Sequence, residues 1–584
     1  MQDRFTIKIA GAAGQGIKSS GLIISKAAKR AGYYTFGYTE YPSLIRGGHN
    51  VYQIEISNHL IGSITKDTDV LLALNKESIA LHIDEFDRDG GVLITDQVNA
   101  LTPEQATRLN ELKVKVYPIP LLELAIQAGG TALMKNTVTL GAVWKTLGLS
   151  IDTLENVIAE VFNKGEDIVE INKRCANLGY EFIKEEFHNF IDAFTPNPQV
   201  RDQLIITGNE ALSLGAAAAG VKIYCSYPMT PASSILSNLA EWAPKTGMLV
   251  KQAEDEITAA NMCVGANYAG TRALCGTSGG GLDLMSETIS LAGITETPFV
   301  VILGQRHGAA TGAPTWTGQQ DLVMAMHTSH GEFPRIVMSC SDAEDAFYLI
   351  GDAFNRAERY QIPVFFLTEK YIAETTYTIQ EPDQNRVAID RGLVLNPGNL
   401  TGQELRYQVT DTGISARWFP GQHSDERESL ISSTFLANSD EHTPKGYSTE
   451  DEAIIKTQIE KRMKKLDLIR KELPDPEVRG ETDADITFIT WGSNKTILED
   501  AAAILRSQGK KVQIIHYTYL WPFKGEALEP FRTNQTNVYI VEQNYNGQLA
   551  QLIKAETGID FKNKILRYDS RPFYLEDILE TVSK

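Results

Sequence analysis

Several features are scarce in this chain of 584 residues, and each scarcity argues against a class of protein. Its five cysteines include no Cys-x-x-Cys spacing, so neither a disulfide framework nor a cysteine-ligated iron–sulfur cluster is expected within the chain. The formal net charge is -19 without any long run of Lys or Arg, so we expect no binding to nucleic acid or membrane. The longest apolar stretches are too short to cross a bilayer, and no apolar leader segment is recognised at the start. A reducing, cytoplasmic location fits these observations best.

The alternation of strand-like and helical stretches predicts an α/β fold class with three α/β units. The predicted units span residues 1–194, 201–385 and 481–584, since 584 residues are too many for one hydrophobic core. Residues 195–198, Thr-Pro-Asn-Pro, mark the first boundary. Residues 386–480 are predicted to form a long surface loop and an amphipathic helix over 447–473. We expect Ser448 and Asp451 to form its capping box and the helix to pack on its own chain.

The first unit opens with a strand at residues 5–10, the turn Gly11-Ala-Ala-Gly14-Gln15-Gly16, and a helix at residues 17–31. This order of strand, glycine turn and helix is typical of an α/β nucleotide-type unit. The second unit is predicted to begin at residues 203–208, and residues 375–393 are expected to leave its core.

The second unit carries the turn Tyr227-Pro228-Met229-Thr230-Pro231 after a strand predicted at residues 221–224. Its two prolines fix the loop and direct Thr230 beyond the carboxyl end of the strand, where open α/β sheets bind ligands. The alternative is an N-cap, in which Thr230 or Ser233 caps the following helix. The two roles are compatible.

Two charged residues follow at positions that chemistry could use. Glu256 precedes a helix of small residues, so its carboxylate could be buried, although acids in a first helical turn also favour the helix dipole. Arg306 follows the apolar strand predicted at residues 298–303, and its planar fork suits a carboxylate. An interdomain salt bridge explains the arginine equally well. The glycine-rich turn at residues 276–283 could bind phosphate or allow close helix–strand packing.

Taken in order, these motifs resemble the alpha subunit of the 2-oxoacid:ferredoxin oxidoreductases. The motifs are Gly208-Asn-Glu-Ala, Tyr227-Pro-Met-Thr-Pro, the Glu256 helix, Thr277-Ser-Gly-Gly-Gly-Leu, Gln305-Arg306 through Pro314-Thr315, and His330-Gly-Glu-Phe-Pro. Residues 11–16 and 40–48 resemble the family's gamma domain, and residues 491–493, 521–523 and 542–548 resemble its transketolase C-terminal-type domain. The three units would then be a gamma-type domain, a thiamine-pyrimidine-binding alpha domain and a transketolase C-terminal-like domain.

The resemblance implies an enzyme subunit for oxidative decarboxylation of a 2-oxoacid, of 2-oxoglutarate or pyruvate type, on thiamine diphosphate. Electrons pass to ferredoxin and the acyl group to coenzyme A, or the reaction runs in reverse. Two alternatives remain open. One is a thiamine enzyme of dehydrogenase or transketolase type that does not use ferredoxin. The other is a non-catalytic regulatory protein that binds coenzyme A or a nucleotide.

The resemblance also implies roles for residues of this sequence. Glu256 matches the carboxylate that hydrogen-bonds the aminopyrimidine of the cofactor and activates it. Thr230 and Arg306 match residues that hold the substrate's carboxylate and keto oxygen, and Thr315 matches a position that shapes the pocket. The residues implied to lie near the cofactor or coenzyme A are Tyr227, Pro228, Gly14, Gln15, Gly16 and Arg46. His307 and Trp316 depart from the family pattern and leave the identity of the oxoacid open.

Two parts of the family's machinery are not found in this sequence. It lacks the Gly-Asp-Gly…Asn segment that grips the cofactor's diphosphate through Mg²⁺, and it lacks the cysteines of a cluster. The resemblance therefore implies a beta subunit that carries Mg²⁺ and a 4Fe-4S cluster, shares the thiamine diphosphate, and forms an (alpha-beta)2 heterotetramer. His327 and His330 have no third ligand nearby, so we expect a packing role and no metal site.

Overall fold

A computed structural model describes residues 4–44, 47–86, 90–163, 165–184, 194–396, 400, 403–420 and 434–583. The strands are β1 (Phe5–Ala12), β2 (Tyr34–Glu40), β3 (His49–Ser57), β4 (Val70–Ala73), β5 (Gly91–Asp96), β6 (Val114–Ile119), β7 (Leu204–Thr207), β8 (Ile223–Ser226), β9 (Leu249–Gln252), β10 (Ala273–Thr277), β11 (Phe299–Gln305), β12 (Ile336–Ser339), β13 (Pro363–Glu369), β14 (Thr376–Ile379), β15 (Glu477–Gly480), β16 (Ile486–Trp491), β17 (Val512–Tyr517), β18 (Tyr519–Trp521), β19 (Val538–Glu542) and β20 (Asn563–Leu566).

The α-helices are α1 (Ile17–Ala31), α2 (Lys76–His82), α3 (Pro103–Glu111), α4 (Leu121–Gln127), α5 (Lys135–Thr146), α6 (Ile151–Val161), α7 (Glu166–Phe182), α8 (Gly208–Ala218), α9 (Ser233–Thr246), α10 (Glu256–Tyr268), α11 (Gly279–Leu284), α12 (Ser286–Ile294), α13 (Leu322–His327), α14 (Ala343–Tyr360), α15 (Lys370–Glu374), α16 (Glu452–Glu472), α17 (Asn494–Ser507), α18 (Gln548–Thr557) and α19 (Leu575–Val582). None of the described helices is long and apolar enough to span a bilayer.

The strands form three sheets, and the predicted α/β fold class is confirmed. The first sheet has the strand order β6-β5-β4-β1-β3-β2-β14-β7, the second β18-β12-β13-β11-β10-β8-β9, and the third β15-β17-β16-β19-β20. Strands β8 to β13 run parallel within the second sheet. Their carboxyl ends therefore meet at one edge, where ligands of such sheets bind.

The sheets exchange strands across the predicted unit limits. Strand β14 pairs antiparallel with both β2 and β7, so two strands of the second unit complete the first sheet. Strand β18 of the third unit pairs with β12 in the second sheet. Strand β7, which opens the second unit, therefore pairs in the first sheet, and residues 376–379 leave the second sheet to join the first. Alternating apolar residues predict a strand but do not identify its partner, so the predicted limits of the units stay predictions.

Helix α16 begins later than predicted and has a different cap. Its N-cap is Asp451, whose carboxylate accepts hydrogen bonds from the backbone N–H groups of Ala453 and Ile454, both at 3.0 Å. The expected capping box of Ser448 with Asp451 is therefore wrong, because Asp451 lies outside the helix and caps it alone.

The buried face of α16 is charged as well as apolar. Lys461 and Lys465 are fully buried, and their ammonium groups lie 2.5 and 2.6 Å from the carboxylate of the buried Glu296. The helix packs on its own chain, as predicted. It does so because two long side chains reach a counter-charge on the segment after α12.

The segment between α15 and α16 is less exposed than predicted. Its described parts contain only short regular elements, yet Tyr407, Trp418 and His442 are buried. Hydrophobic side chains within a loop allow it to pack on the domain, so a loop of this composition does not have to cross the surface.

Candidate functional site

The carboxyl ends of β8, β10 and β11 carry most of the predicted site residues. The turn with Tyr227 and Thr230 follows β8, Thr277 ends β10, and Arg306 follows β11. Register confirms that these ends are neighbours, since β10 pairs in parallel with both β8 and β11. The structure therefore brings together groups that are separated by up to 80 positions in the sequence.

Glu256 is the first residue of α10 and turns into the protein. Asp255 caps the helix by accepting a hydrogen bond from the Thr258 N–H at 2.7 Å, so the Glu256 carboxylate is not needed as a cap. Glu256 is only 3% exposed, and its Oε1 atom has no hydrogen-bond partner among the described residues. Leaving a buried carboxylate oxygen unpaired is costly, which indicates that a ligand completes this site.

The glycine tract after β10 lies directly against this carboxylate. A Cβ added to Gly281 would overlap the Thr277 hydroxyl and would lie 2.7 Å from Glu256 Oε1. Only glycine allows α11 to approach so closely. Of the two explanations left open by the sequence, the structure supports close packing.

Other buried polar atoms near this edge also lack partners in the described part of the chain. They are the hydroxyl oxygens of Thr277, Ser278 and Thr315 and the side-chain nitrogen of Gln305. Native interiors leave few such atoms unpaired. Together with Glu256 Oε1, they make this edge the candidate site for a polar ligand.

Arg306 is tied to the turn that contains Thr230. Its Nη1 donates to the Thr230 backbone oxygen at 3.0 Å, and the side chain is 9% exposed. Burial lowers the pKa of Arg306, while the nearby Asp321 carboxyl raises it. Among the described residues Arg306 forms no ion pair, so an interdomain salt bridge does not explain it. The rest of its guanidinium forms no ion pair with the described residues and could meet an anionic ligand.

The turn itself is held by Asn209, a residue that the sequence reasoning quoted in a motif but gave no role. Its amide nitrogen donates to the Pro231 oxygen at 2.8 Å and to the Ser234 hydroxyl at 2.7 Å. Helix α9 begins at Ser233 without a side-chain cap. The alternative role of Thr230 or Ser233 as an N-cap is therefore wrong.

Tyr227, Pro228 and Thr315 differ in exposure. Tyr227 is 38% exposed and Pro228 is also exposed, so both lie on the open side of the turn. Thr315 is buried. The neighbouring Trp316 stacks on Arg571 of the third unit, with the guanidinium carbon 3.3 Å from the ring centroid. Trp316 therefore joins two units beside Thr315.

The glycine loop of the first unit occupies a separate place, at the end of β1. Gly14 and Gly16 have positive φ angles of 86° and 72°, which glycine adopts readily. Gln15 closes the loop by accepting a hydrogen bond from the Ala12 N–H at 2.6 Å. The Ala13 N–H donates to the Gly48 oxygen at 3.0 Å, so the loop touches the turn that follows Arg46. Arg46 itself lies outside the described residues.

Asp321 is a site residue that sequence reasoning missed. Burial raises its pKa to about 6, Asp283 acts in the same direction, and Arg306 opposes them. An aspartate directly before a helix normally acts as a cap, so the sequence pattern carries no signal for another role.

His327 and His330 are both exposed, so the packing role expected for them is wrong. The short helix α13 ends at His327, and His330 lies three residues beyond it. Within the described ranges no group of three or more His, Cys, Asp or Glu side chains could hold a metal ion.

Three family models match successive parts of the chain. Residues 6–182 match "Pyruvate ferredoxin/flavodoxin oxidoreductase", residues 214–411 match "Pyruvate flavodoxin/ferredoxin oxidoreductase, thiamine diP-bdg", and residues 484–578 match "Pyruvate:ferredoxin oxidoreductase core domain II". The second of these ranges contains Glu256, Arg306 and Thr230.

Relatives of similar length match along the whole chain. The 2-oxoacid:ferredoxin oxidoreductase 2, subunit alpha, of Aeropyrum pernix is 31% identical, over 99% of this chain and 97% of its own length. The 2-oxoglutarate oxidoreductase subunit KorA of Mycobacterium tuberculosis is 29% identical, over 96% of this chain and 88% of its own.

A solved structure also matches: the 2-oxoglutarate:ferredoxin oxidoreductase from Magnetococcus marinus with 2-oxoglutarate, coenzyme A and succinyl-CoA bound. It is 31% identical, with a TM-score of 0.89 over 100% of this chain and 99% of that chain. The fold, the order of the motifs and these full-length matches agree with one another. The chain therefore belongs to the 2-oxoacid:ferredoxin oxidoreductase family, as an alpha subunit.

Proposed function

We propose that this alpha subunit, together with a partner, decarboxylates a 2-oxoacid oxidatively to acyl-CoA and CO2 and passes the electrons to ferredoxin, or runs the reverse reaction. The observation that carries the proposal is the buried Glu256 carboxylate with an unpartnered oxygen, at the carboxyl edge of the second sheet. The thiamine-binding family model covers this same part of the chain.

The residues around Glu256 fit thiamine diphosphate. Glu256, Thr277 and Ser278 present buried, unpaired oxygens, and Gly281 places no side chain between the first two. The Tyr227–Pro228 turn would cover the open side. When bound, thiamine diphosphate supplies the electron sink on which a 2-oxoacid can lose CO2.

Glu256 holds a proton at a ring nitrogen of the cofactor. Its unpartnered Oε1 is the atom available for that hydrogen bond, and burial excludes competing water. A positioned carboxylate of this kind typically accelerates proton transfer by about 100- to 10,000-fold. Asp255 supports it by taking over the capping of α10.

Arg306 and Thr230 hold the substrate's carboxylate and keto oxygen. The bond from Arg306 to the Thr230 oxygen fixes one edge of the guanidinium and leaves the other N–H groups for two carboxylate oxygens. Thr315, with its unpaired hydroxyl, contacts the rest of the substrate. A substrate of 2-oxoglutarate type is supported by the names of the matched Mycobacterium relative and Magnetococcus structure.

The partner is a beta subunit that carries Mg²⁺ and a 4Fe-4S cluster and shares the thiamine diphosphate in a cytoplasmic (alpha-beta)2 heterotetramer. This chain contributes neither a diphosphate-gripping motif nor cluster cysteines. The loop of Gly14, Gln15 and Gly16, with Arg46, forms the coenzyme A platform. Contact between this loop and the Gly48 turn supports a common site.

Co-expression of the chain with its partner subunit tests the proposal. The purified complex is supplied with thiamine diphosphate, Mg²⁺, coenzyme A and a panel of 2-oxoacids, and reduction of a viologen dye is followed. We expect reduction that requires both thiamine diphosphate and coenzyme A and is fastest with 2-oxoglutarate. Absence of thiamine-dependent reduction with every 2-oxoacid would refute the proposed function, whereas a preference for pyruvate would refute only the substrate.

A further inference from the structure

Asp321 lies at the candidate site but does not perform the usual task of an aspartate at its position. It is the N-cap residue of α13, yet its side chain makes no capping hydrogen bond. Capping is the common reason for an aspartate before a helix. Its backbone N–H donates to the Gln305 side-chain oxygen at 3.2 Å, which ties it to the residue before Arg306.

The Asp321 carboxyl packs on the same glycine tract as Glu256. A Cβ added to Gly279 would lie 3.1 Å from both carboxyl oxygens of Asp321, and one added to Gly281 would lie 2.7 Å from Glu256 Oε1. The two carboxyls therefore contact two glycines of one three-residue tract. Asp321 therefore lies beside the proposed active site.

The charged and titratable groups around Asp321 come from each element packed against it. Arg306 follows β11 and Asp283 lies on α11, and both act on the pKa of Asp321. Glu256 contacts Gly281, two positions beyond the Gly279 that Asp321 contacts. His307 hydrogen-bonds Gln320, the residue before Asp321. Of these groups Arg306 is the one that favours the ionised form of Asp321 and is also the proposed partner of the substrate carboxylate.

We propose that Asp321 is a positioning residue that takes up one proton when an anionic 2-oxoacid binds at Arg306, an inference that rests on the proposed function. The substrate carboxylate pairs with the guanidinium of Arg306, which then stabilises the ionised form of Asp321 less. It also brings a second negative charge close to Asp321. Both effects favour the neutral carboxyl. The proton comes from solvent and stays on the Asp321 carboxyl while the substrate is bound, so Arg306 faces one carboxylate instead of two.

Proton uptake on binding fixes how affinity depends on pH. Affinity falls as pH rises from the pKa of the free carboxyl, about 6, to the higher value in the complex. A rise of one pKa unit makes binding at pH 8 about tenfold weaker than at pH 5. Asp321→Asn removes this dependence and binds more tightly than the wild type at pH 8. A merely structural aspartate predicts the opposite, namely weaker binding by the variant at every pH.

Isothermal titration calorimetry of the complete complex, loaded with thiamine diphosphate and Mg²⁺, measures the uptake directly. The probe is glutarate, which has the carbon chain of 2-oxoglutarate but no keto group that thiamine diphosphate could attack, and whose carboxylates are ionised at pH 6.5. Titrations at pH 6.5 in buffers of different ionisation heat should show uptake of about half a proton per site for the wild type. D321N should take up none, and the matched control E287Q, which removes an exposed acid of α12 that does not act on the pKa of Asp321, should retain the uptake.

The outcomes separate the inference from the proposed function. If the wild-type complex turns over 2-oxoacids but binds the probe without proton uptake, the role of Asp321 is overturned and the proposed function is not. This measurement needs only the wild type, so it can be made even if D321N does not assemble. Proton uptake by D321N equal to that of the wild type also overturns the role of Asp321. A complex without thiamine-dependent turnover overturns the proposed function instead.

Discussion

Replacing Gly281 by alanine tests whether the glycine tract exists to let α11 approach the Glu256 carboxylate. The new Cβ would overlap the Thr277 hydroxyl and would lie 2.7 Å from Glu256 Oε1 and 2.9 Å from its Cγ. Restoring ordinary contacts of about 3.5 Å moves the carboxylate by roughly 1 Å. A displacement of that size at a catalytic group lowers the rate by about 100-fold.

The neighbouring Gly280 provides a matched control. A Cβ at Gly280 meets only the Ala310 oxygen, at 3.8 Å, which is an ordinary contact. Gly280→Ala should therefore stabilise the fold by about 0.4–1 kcal/mol, because alanine loses less chain entropy than glycine. Gly281→Ala should destabilise it by about 1–2 kcal/mol, since the atoms in the way are ends of side chains that can turn aside.

Thiamine-dependent viologen reduction by the reconstituted complex, with urea unfolding of each variant, measures both effects. We expect wild-type turnover for Gly280→Ala and about 1% of it for Gly281→Ala. A folded Gly281→Ala complex that reacts as fast as Gly280→Ala would show that the rate does not depend on this packing. The close-approach explanation of the tract would then be refuted.

Three further substitutions separate proton transfer, substrate binding and folding. Glu256→Gln keeps the size of the side chain but removes the carboxylate, so kcat should fall about 100-fold or more with an unchanged thermal midpoint; undiminished kcat would contradict its role. Arg306→Lys removes the planar fork, so KM for the 2-oxoacid should rise by about 10- to 100-fold in steady-state assays, and an unchanged KM would exclude the clamp. Glu296→Gln leaves Lys461 and Lys465 buried without a counter-charge and should lower the free energy of unfolding by about 3–5 kcal/mol at pH 7. Burial alone would raise the pKa of Glu296, but Lys461 and Lys465 hold it below its usual value of 4.5. The ion pairs of Glu296 therefore stabilise the fold fully above pH 4.5, and this contribution is lost as the pH falls further. The difference between variant and wild type should therefore shrink from pH 7 to pH 3 in urea titrations, and a constant difference would contradict the linkage.

Local periodicity was sufficient for most individual elements. The helix at residues 17–31 has the predicted limits, and the family, the fold class and the activity are confirmed. The roles of Glu256, Arg306 and Thr230 stay predictions, although the structure brings these residues to one edge of a sheet.

Long-range partners could not be predicted in the same way. The partner of a four-residue strand such as β14 is not encoded in its own alternation. From the sequence, the buried lysines of α16 cannot be distinguished from exposed ones, because their contact with Glu296 is not visible there. In the same way, Asp321 has the position of an ordinary cap, and only the structure shows its contact with Gly279. In each case the deciding contact is made by a residue far away in the sequence.

Strand exchange between the units also sets an order for biosynthesis. Strand β2 leaves the ribosome early, whereas β14, which covers its free edge, is translated after nearly the whole second unit. At about 5–20 residues per second, that edge stays open for tens of seconds. An open strand edge can pair with another nascent chain. A shortened gene that stops before β14 would leave the edge uncovered permanently, so its product should accumulate in inclusion bodies.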